Sequence, residues 1–244
     1  SIPTKEAGVV DKSRFAPIAH SAAPLQKTLI LGCNELLQQI VSELDCYLAS
    51  DSPVIIAALE EDLAKSELPQ QDQLKNIALD IRSCDIFQRS ALEELLAHKP
   101  DNVLILSDTD NDDQESDSKT LLLLLQLRDI AHKTGLKFSV TSEMQSVENQ
   151  ELAQVTKVTD FVVSSNITAL MMTQISQARE QFVILNDLLS DDGSELYMKD
   201  ADRYVKLGES VDFYTIGAAA TQYGEIVVGY KKYQYDGEFD IVLN

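Results

Sequence analysis

Short apolar runs of strand length alternate with stretches of helical periodicity from Lys27 onward. Thr28, Leu29, Ile30 and Leu31 predict a first strand that ends at Gly32. Asn34 is placed to cap a following helix, whose face carries Leu36, Leu37, Ile40, Val41, Leu44 and Leu48. Val54 to Ala58 predicts a second strand after Pro53, and Asn76 to Ile81 a weaker third. Ser90 and Glu93 have capping-box spacing and start a helix with Leu92, Leu95 and Leu96, stopped by Pro100. Val103 to Leu106 predicts a fourth strand. An acidic stretch follows it, then a leucine-rich helix over Thr120 to Ala131, terminated by Gly135. Leu136 to Thr141 and Asp160 to Val163 predict two more strands, with a short helix around Leu152 and Val155 between them. Strands alternating with helices at short spacing imply an α/β fold, a doubly wound parallel sheet with helices on both faces.

The period changes at Asn166. Ile167, Leu170, Met171, Ile175, Ala178, Phe182, Leu185 and Leu189 recur at helical spacing and predict one long crossover helix, closed by the turn signal Asp191, Asp192, Gly193. Beyond it tyrosines become frequent. Glu195 to Met198 and Glu225 to Tyr230 read as strands, with a short helix within Ser210 to Gln222. Asp236-Gly237 reads as a hairpin turn into Phe239 to Leu243. This is a small α+β lobe. The expected organisation is an N-terminal linker or arm (1–26), a sheet domain (27–165), a connecting helix (166–192) and the C-terminal lobe (193–244).

Of 244 residues, 44% are apolar and 25% charged, ordinary for a globular chain, but the formal net charge is -20. Such a surface repels nucleic-acid phosphates and anionic headgroups, so no nucleic-acid partner is expected. No apolar run approaches the roughly 20 residues of a membrane span, so direct membrane insertion of this segment is not expected either. Cys33, Cys46 and Cys84 form no CxxC pair and read as small buried hydrophobes. His20, His98 and His132 have no ligand spacing and read as surface or helix-end residues.

The chemistry concentrates at the carboxyl ends of the strands, where open α/β sheets bind ligands. Asp108, Asp110, Asp112, Asp113, Glu115 and Asp117 are the candidate metal ligands, read as a solvated loop after the fourth strand. They fail as an EF-hand: the sixth position holds Asp113 rather than glycine and the twelfth Lys119 rather than glutamate. A less regular hard-cation site is the expectation. After the first strand, a dinucleotide site needs three glycines. Only Gly32 is present; Asn34 and Leu37 stand in the other two places, with Glu35 adding a repelling charge. The sheet is Rossmann-like and its phosphate cradle is lost. No P-loop, nucleophile elbow or catalytic triad is present, so no catalytic residues and no enzymatic activity are expected.

The run SDSKTLLLLLQLRDI ending at Ile130, TDFVVSSN over 159–166, NDLLSDDGSELYM over 186–198 and EIVVGY over 225–230 resemble the cytosolic regulatory domain of the Castor/Pollux ion channels. That domain is of the RCK type, a regulator of potassium conductance. The resemblance implies a soluble gating-ring domain on the cytoplasmic face of a membrane. It would assemble as a homo-oligomer, a dimer or tetrameric ring, act on the pore domain of the same cation channel, and take calcium as its first candidate ligand. Two other readings stand beside it. One is a nucleotide-sensing or oxidoreductase Rossmann domain with a degenerate glycine loop. The other is an acidic scaffold that binds a protein through its tyrosine-rich lobe.

Overall fold

A computed structural model describes residues 10–18, 25–108, 112–146, 160–190, 194, 196–208, 210–233 and 239–243. The chain divides into two units, Ala23–Glu195 and Ser1–Ala22 with Leu196–Asn244.

In the larger unit, six strands form one parallel sheet: β1 (Thr28–Leu31), β2 (Ser52–Ala58), β3 (Ile77–Ser83), β4 (Asn102–Ile105), β5 (Ser139–Met144) and β6 (Asp160–Val163). Their order is β3-β2-β1-β4-β5-β6, so the winding reverses between β1 and β4. β1 is central and buried on both faces, which is why it reads as an unbroken apolar run. Alternation along it sorts the core. Leu29 and Leu31 face α3 (Arg89–Leu96) and α4 (Asp113–Thr134), packing with Leu92, Leu96, Leu124 and Leu127. Ile30 faces the other way, with Val54 and Ile56, onto Leu37 and Val41 of α1 (Leu37–Tyr47). A short α2 (Glu60–Lys65) follows β2. Asp45, on α1, is buried, and its carboxylate accepts the backbone N–H groups of Lys75, Asn76 and Ile77, fixing the entry to β3.

Several boundaries differ from those expected. α4 begins at Asp113, two turns before Thr120, because Asp113 and Glu115 in its first turn complement the positive end of the helix dipole. Most of the acidic stretch is therefore helix rather than loop. α3 begins at Arg89 with Gln88 at its cap position and no side-chain cap, so Ser90 is not the cap. β5 starts at Ser139 because its neighbour β4 offers partners only from Asn102 on. The helix expected over 166–192 is two helices, α5 (Ser164–Gln177) and α6 (Gln181–Leu189), separated by an extended Ala178. Thr173 and Ser176 hydroxyls donate to carbonyls of the last turns of α5, the back-bonding that competes with and ends a helix. Cys46 is exposed and Cys33 and Cys84 are half-buried, so none is a fully buried hydrophobe. His20, Asp236-Gly237 and the short helix around Leu152 lie outside the described residues.

The smaller unit holds α7 (Phe213–Ala220) and an antiparallel pair, β7 (Gly229–Tyr233) and β8 (Phe239–Leu243). Residues 196–198 carry no strand; Leu196, Tyr197 and Met198 are exposed and no strand lies beside them among the described residues. β7 starts at Gly229 rather than Glu225, since β8 supplies only five partners. Glu225 instead accepts from Lys199, Arg203 and Tyr204. Part of the N-terminal arm packs here: Phe15 bridges Val205, and Asp11 N–H donates to Thr215 Oγ1.

Candidate functional site

Reversal of the winding between β1 and β4 opens a crevice at the carboxyl edge of the sheet, where chain connections leave in opposite directions. Gly32 turns the chain out of β1 at φ +93°. A Cβ there would lie 2.6 Å from the Leu106 carbonyl oxygen, so only glycine lets the two loops come this close. The side of the crevice toward β2 is a cleft of about 330 Å³. Leu59, Ile86 and Phe87 supply an apolar wall, and Asp62, Asp108 and Lys119 supply charge.

The side toward β5 is filled by side chains. Asn34 is buried and makes three hydrogen bonds. Its Oδ1 accepts from Leu36 N–H (3.0 Å), and its Nδ2 donates to the Ser107 carbonyl (2.9 Å) and to Glu143 Oε2 (2.9 Å). Ser107 N–H donates to the same Glu143 oxygen at 3.1 Å. Ser107 and Ser116 hydroxyls meet at 2.6 Å, and Ser116 also reaches the Asp108 carbonyl. Leu37, in the place of a third glycine, is fully buried core. The place of the second glycine is thus taken by the Asn34 side chain, and that of the third by a core leucine.

Electrostatics of the open side are mixed. Lys119 Nζ lies 3.1 Å from Asp108 Oδ2 and 3.2 Å from Glu115 Oε1. Burial opposes its charge, but the two carboxylates win and hold it above the usual lysine range. Burial, joined by the Asp108 and Glu61 charges, pushes the Asp62 carboxyl up. Burial likewise raises the Cys33 thiol.

The six acidic candidates do not share one position. Asp108 lines the cleft and pairs with Lys119; Glu115 pairs with the same lysine. Asp112 and Asp113 are exposed at the start of α4. Asp117 is fully buried and its carboxylate accepts Gln145 and Ser146 N–H groups, tying α4 to the end of β5. Asp110 lies outside the described residues. Among the described residues no group of three or more His, Cys, Asp and Glu side chains is arranged to hold a metal ion. The residue that sequence reasoning missed is Glu143, whose signal was faint: a glutamate inside the strand Ser139–Met144. Asp117 was among the candidates, but its hydrogen bonds to Gln145 and Ser146 could not be read from the sequence.

The chain is 26% identical over 243 residues to the ion channel CASTOR of Lotus japonicus, covering 84% of this chain and 28% of that protein. It is 26% identical to the ion channel DMI1 of Medicago truncatula, covering 91% and 29%, and 25% identical to a probable ion channel POLLUX of Arabidopsis thaliana, covering 84% and 29%. It thus spans less than a third of the length of the curated relatives it matches. No protein-family profile matches the sequence. Among solved structures, the human SLO3 gating ring aligns with a TM-score of 0.41 at 9% identity, over 57% of this chain and 24% of that one. A nucleoside-diphosphate-sugar epimerase from Agrobacterium tumefaciens aligns at 0.37 and 15% identity, over 53% and 41%. Neither likeness is close enough to carry function. Among the described residues no helix is long and apolar enough to cross a membrane.

Proposed function

We propose, from its relation to the Castor/Pollux ion channels along most of its length, that this chain is a ligand-sensing regulatory domain of a cation channel. It works as one member of a ring of identical domains on the cytoplasmic face, joined to the pore of the same protein. The observation that carries this reading is the relation to named ion channels over 84% of the chain and more. It receives support from the surface. α5 and α6 expose Ile167, Leu170, Met172, Phe182 and Val183, and α4 exposes Leu122 and Leu125. Apolar helix faces of this extent are suited to a second copy of the chain.

α4 connects the two ends of the mechanism. Its first turns carry Ser116, Lys119 and Thr120 to the cleft, and Leu122 and Leu125 follow within the next two turns. A ligand that binds two ring states with different affinity shifts their populations. A rigid helix of 22 residues, about 33 Å long, transmits a small displacement at the cleft to its outer face. The chain acts by binding, not by catalysis.

Calcium is the first ligand to test, with attraction to the acidic start of α4 at the weak end of the calcium range, roughly 10⁻⁴ to 10⁻³ M. Titration of the wild type against a double variant, Asp110→Asn with Asp112→Asn, checks this. Weakened binding in the variant supports the assignment, and identical binding moves the site elsewhere. NAD, NADP and ATP are expected not to bind tightly, since Asn34 and Leu37 stand in place of the second and third glycines; low-micromolar binding by calorimetry would favour the nucleotide-sensing reading instead.

A further inference from the structure

The geometry points to a specificity role for Glu143: its carboxylate is the resident anion of the sheet edge, seated where two loops aim donors at one position, and it closes the β5 side of the crevice to phosphate- and carboxylate-bearing ligands. Three elements build the seat. The Asn34 amide comes from the loop after β1, the Ser107 N–H from the loop after β4, and the carboxylate from β5 itself. Both donors converge on the same oxygen, Glu143 Oε2, at 2.9 and 3.1 Å. Two donors from separate loops meeting at one acceptor are the arrangement that holds an anion's oxygen, and hydrogen bonds to an ionised acceptor are the strong ones. Asn34 is not free to turn away, because its other bonds, to Leu36 N–H and the Ser107 carbonyl, fix the amide.

Glutamate here acts in two ways. It satisfies Nδ2 of Asn34 and the N–H of Ser107, groups whose burial without a partner is costly. It also places a negative charge where a ligand's phosphate would seek the same donors, so an incoming anion meets repulsion and no vacant donor. The cleft on the β2 side, lined by Gly32, Asp62, Phe87 and Lys119, stays open. A ligand of the crevice is therefore confined to that side and does not run across the β1–β4 reversal as a dinucleotide does. This role is independent of the channel reading, since it concerns which ligands the edge refuses.

Truncation tests it. Glu143→Ala leaves the two donors facing a carboxylate-sized space, which a small external anion should enter. Thermal melting of the full 244-residue chain is followed with sodium acetate, inorganic phosphate or sodium chloride at matched ionic strength. The expected result is a higher melting temperature for Glu143→Ala in acetate and phosphate than in chloride, with no such difference for the wild type. Calorimetry should then give phosphate binding to the variant at least about tenfold tighter than to the wild type. Glu143→Gln keeps an acceptor oxygen in the seat and should respond like the wild type. If Glu143→Ala does not fold in chloride, folding restored by acetate or phosphate supports the role in the same way. Equal effects of chloride and acetate on Glu143→Ala, or an anion response in Glu143→Gln as large as in Glu143→Ala, would overturn it.

Discussion

α4 and α6 both carry runs of large apolar residues, and the structure treats them in opposite ways. α4 buries Leu123, Leu124, Leu127 and Ile130 against the sheet and leaves Leu122 46% exposed. α6, Gln181–Leu189, buries no residue; Val183 is 69% exposed, and Met172 on the preceding helix 67%. The first pattern is satisfied within the chain except at Leu122 and Leu125. The second is left open, although exposing so many large apolar side chains in water is unfavourable. An apolar period thus reveals that a helix needs a cover, while only the structure reveals whether the same chain supplies it.

The largest effect should come from the satisfied side. Leu124→Ala removes a fully buried side chain between the sheet and α4, and should cost about 2–5 kcal/mol in chemical denaturation without altering self-association. A drop below about 1 kcal/mol would mean that the α4 core is looser than its burial implies. Next comes Asp45→Ala, expected to cost about 1–3 kcal/mol at neutral pH by stranding three backbone donors, of which that of Ile77 is buried. Burial works against the Asp45 charge, but those three bonds outweigh it and hold the carboxyl below the ordinary aspartate value of about 3.9. A depressed folded value means its stabilisation is complete above the unfolded value and fades as the pH falls through the folded one. The gap between wild type and Asp45→Ala should narrow on acidification below about pH 4, and a gap that widened would contradict the sign.

Smaller still is Glu225→Gln in the C-terminal unit. Burial opposes the Glu225 charge, while Lys199, Tyr204 and Arg203 together hold its carboxyl below the usual range. The same partner, added to burial, pushes the Tyr204 hydroxyl up to about 12. Losing the charge should cost about 1 kcal/mol, since the site is only partly shielded from water. It should also bring the Tyr204 titration, followed by ultraviolet absorbance, back toward the ordinary tyrosine value; an unchanged titration would remove Glu225 as its cause.

The alternation of short strands with helices was enough to place all six strands of the sheet, because β1 is buried on both faces and β2 and β4 on at least one, leaving continuous apolar runs such as Leu29, Ile30 and Leu31. Boundaries were less legible where charge misled. Asp113, Glu115 and Asp117 look like a loop by composition, yet they form the first turns of α4, where acids favour the helix end. The break at Ala178 carries no proline or glycine and became visible only through the Thr173 and Ser176 back-bonds. At the candidate site, the loss of the glycine cradle could be read from Asn34 and Leu37. What fills the seat could not, because Glu143 is 109 residues from Asn34 and nothing in the local sequence joins them.

On the proposed function, the open faces of α5 and α6 belong against another copy of the chain. The direct measurement is molar mass by light scattering on size exclusion, for wild type and for Phe182→Asp with Val183→Asp. Both side chains are more than half exposed, so the variant should keep its folding stability within about 0.5 kcal/mol. A net charge of -20 opposes association at low ionic strength, so moderate salt should favour it. The account predicts a wild type of at least twice 27.1 kDa in moderate salt and a monomeric variant under the same conditions. A wild type that stays monomeric at high protein concentration across all salt concentrations, or a variant that associates as the wild type does, would contradict it.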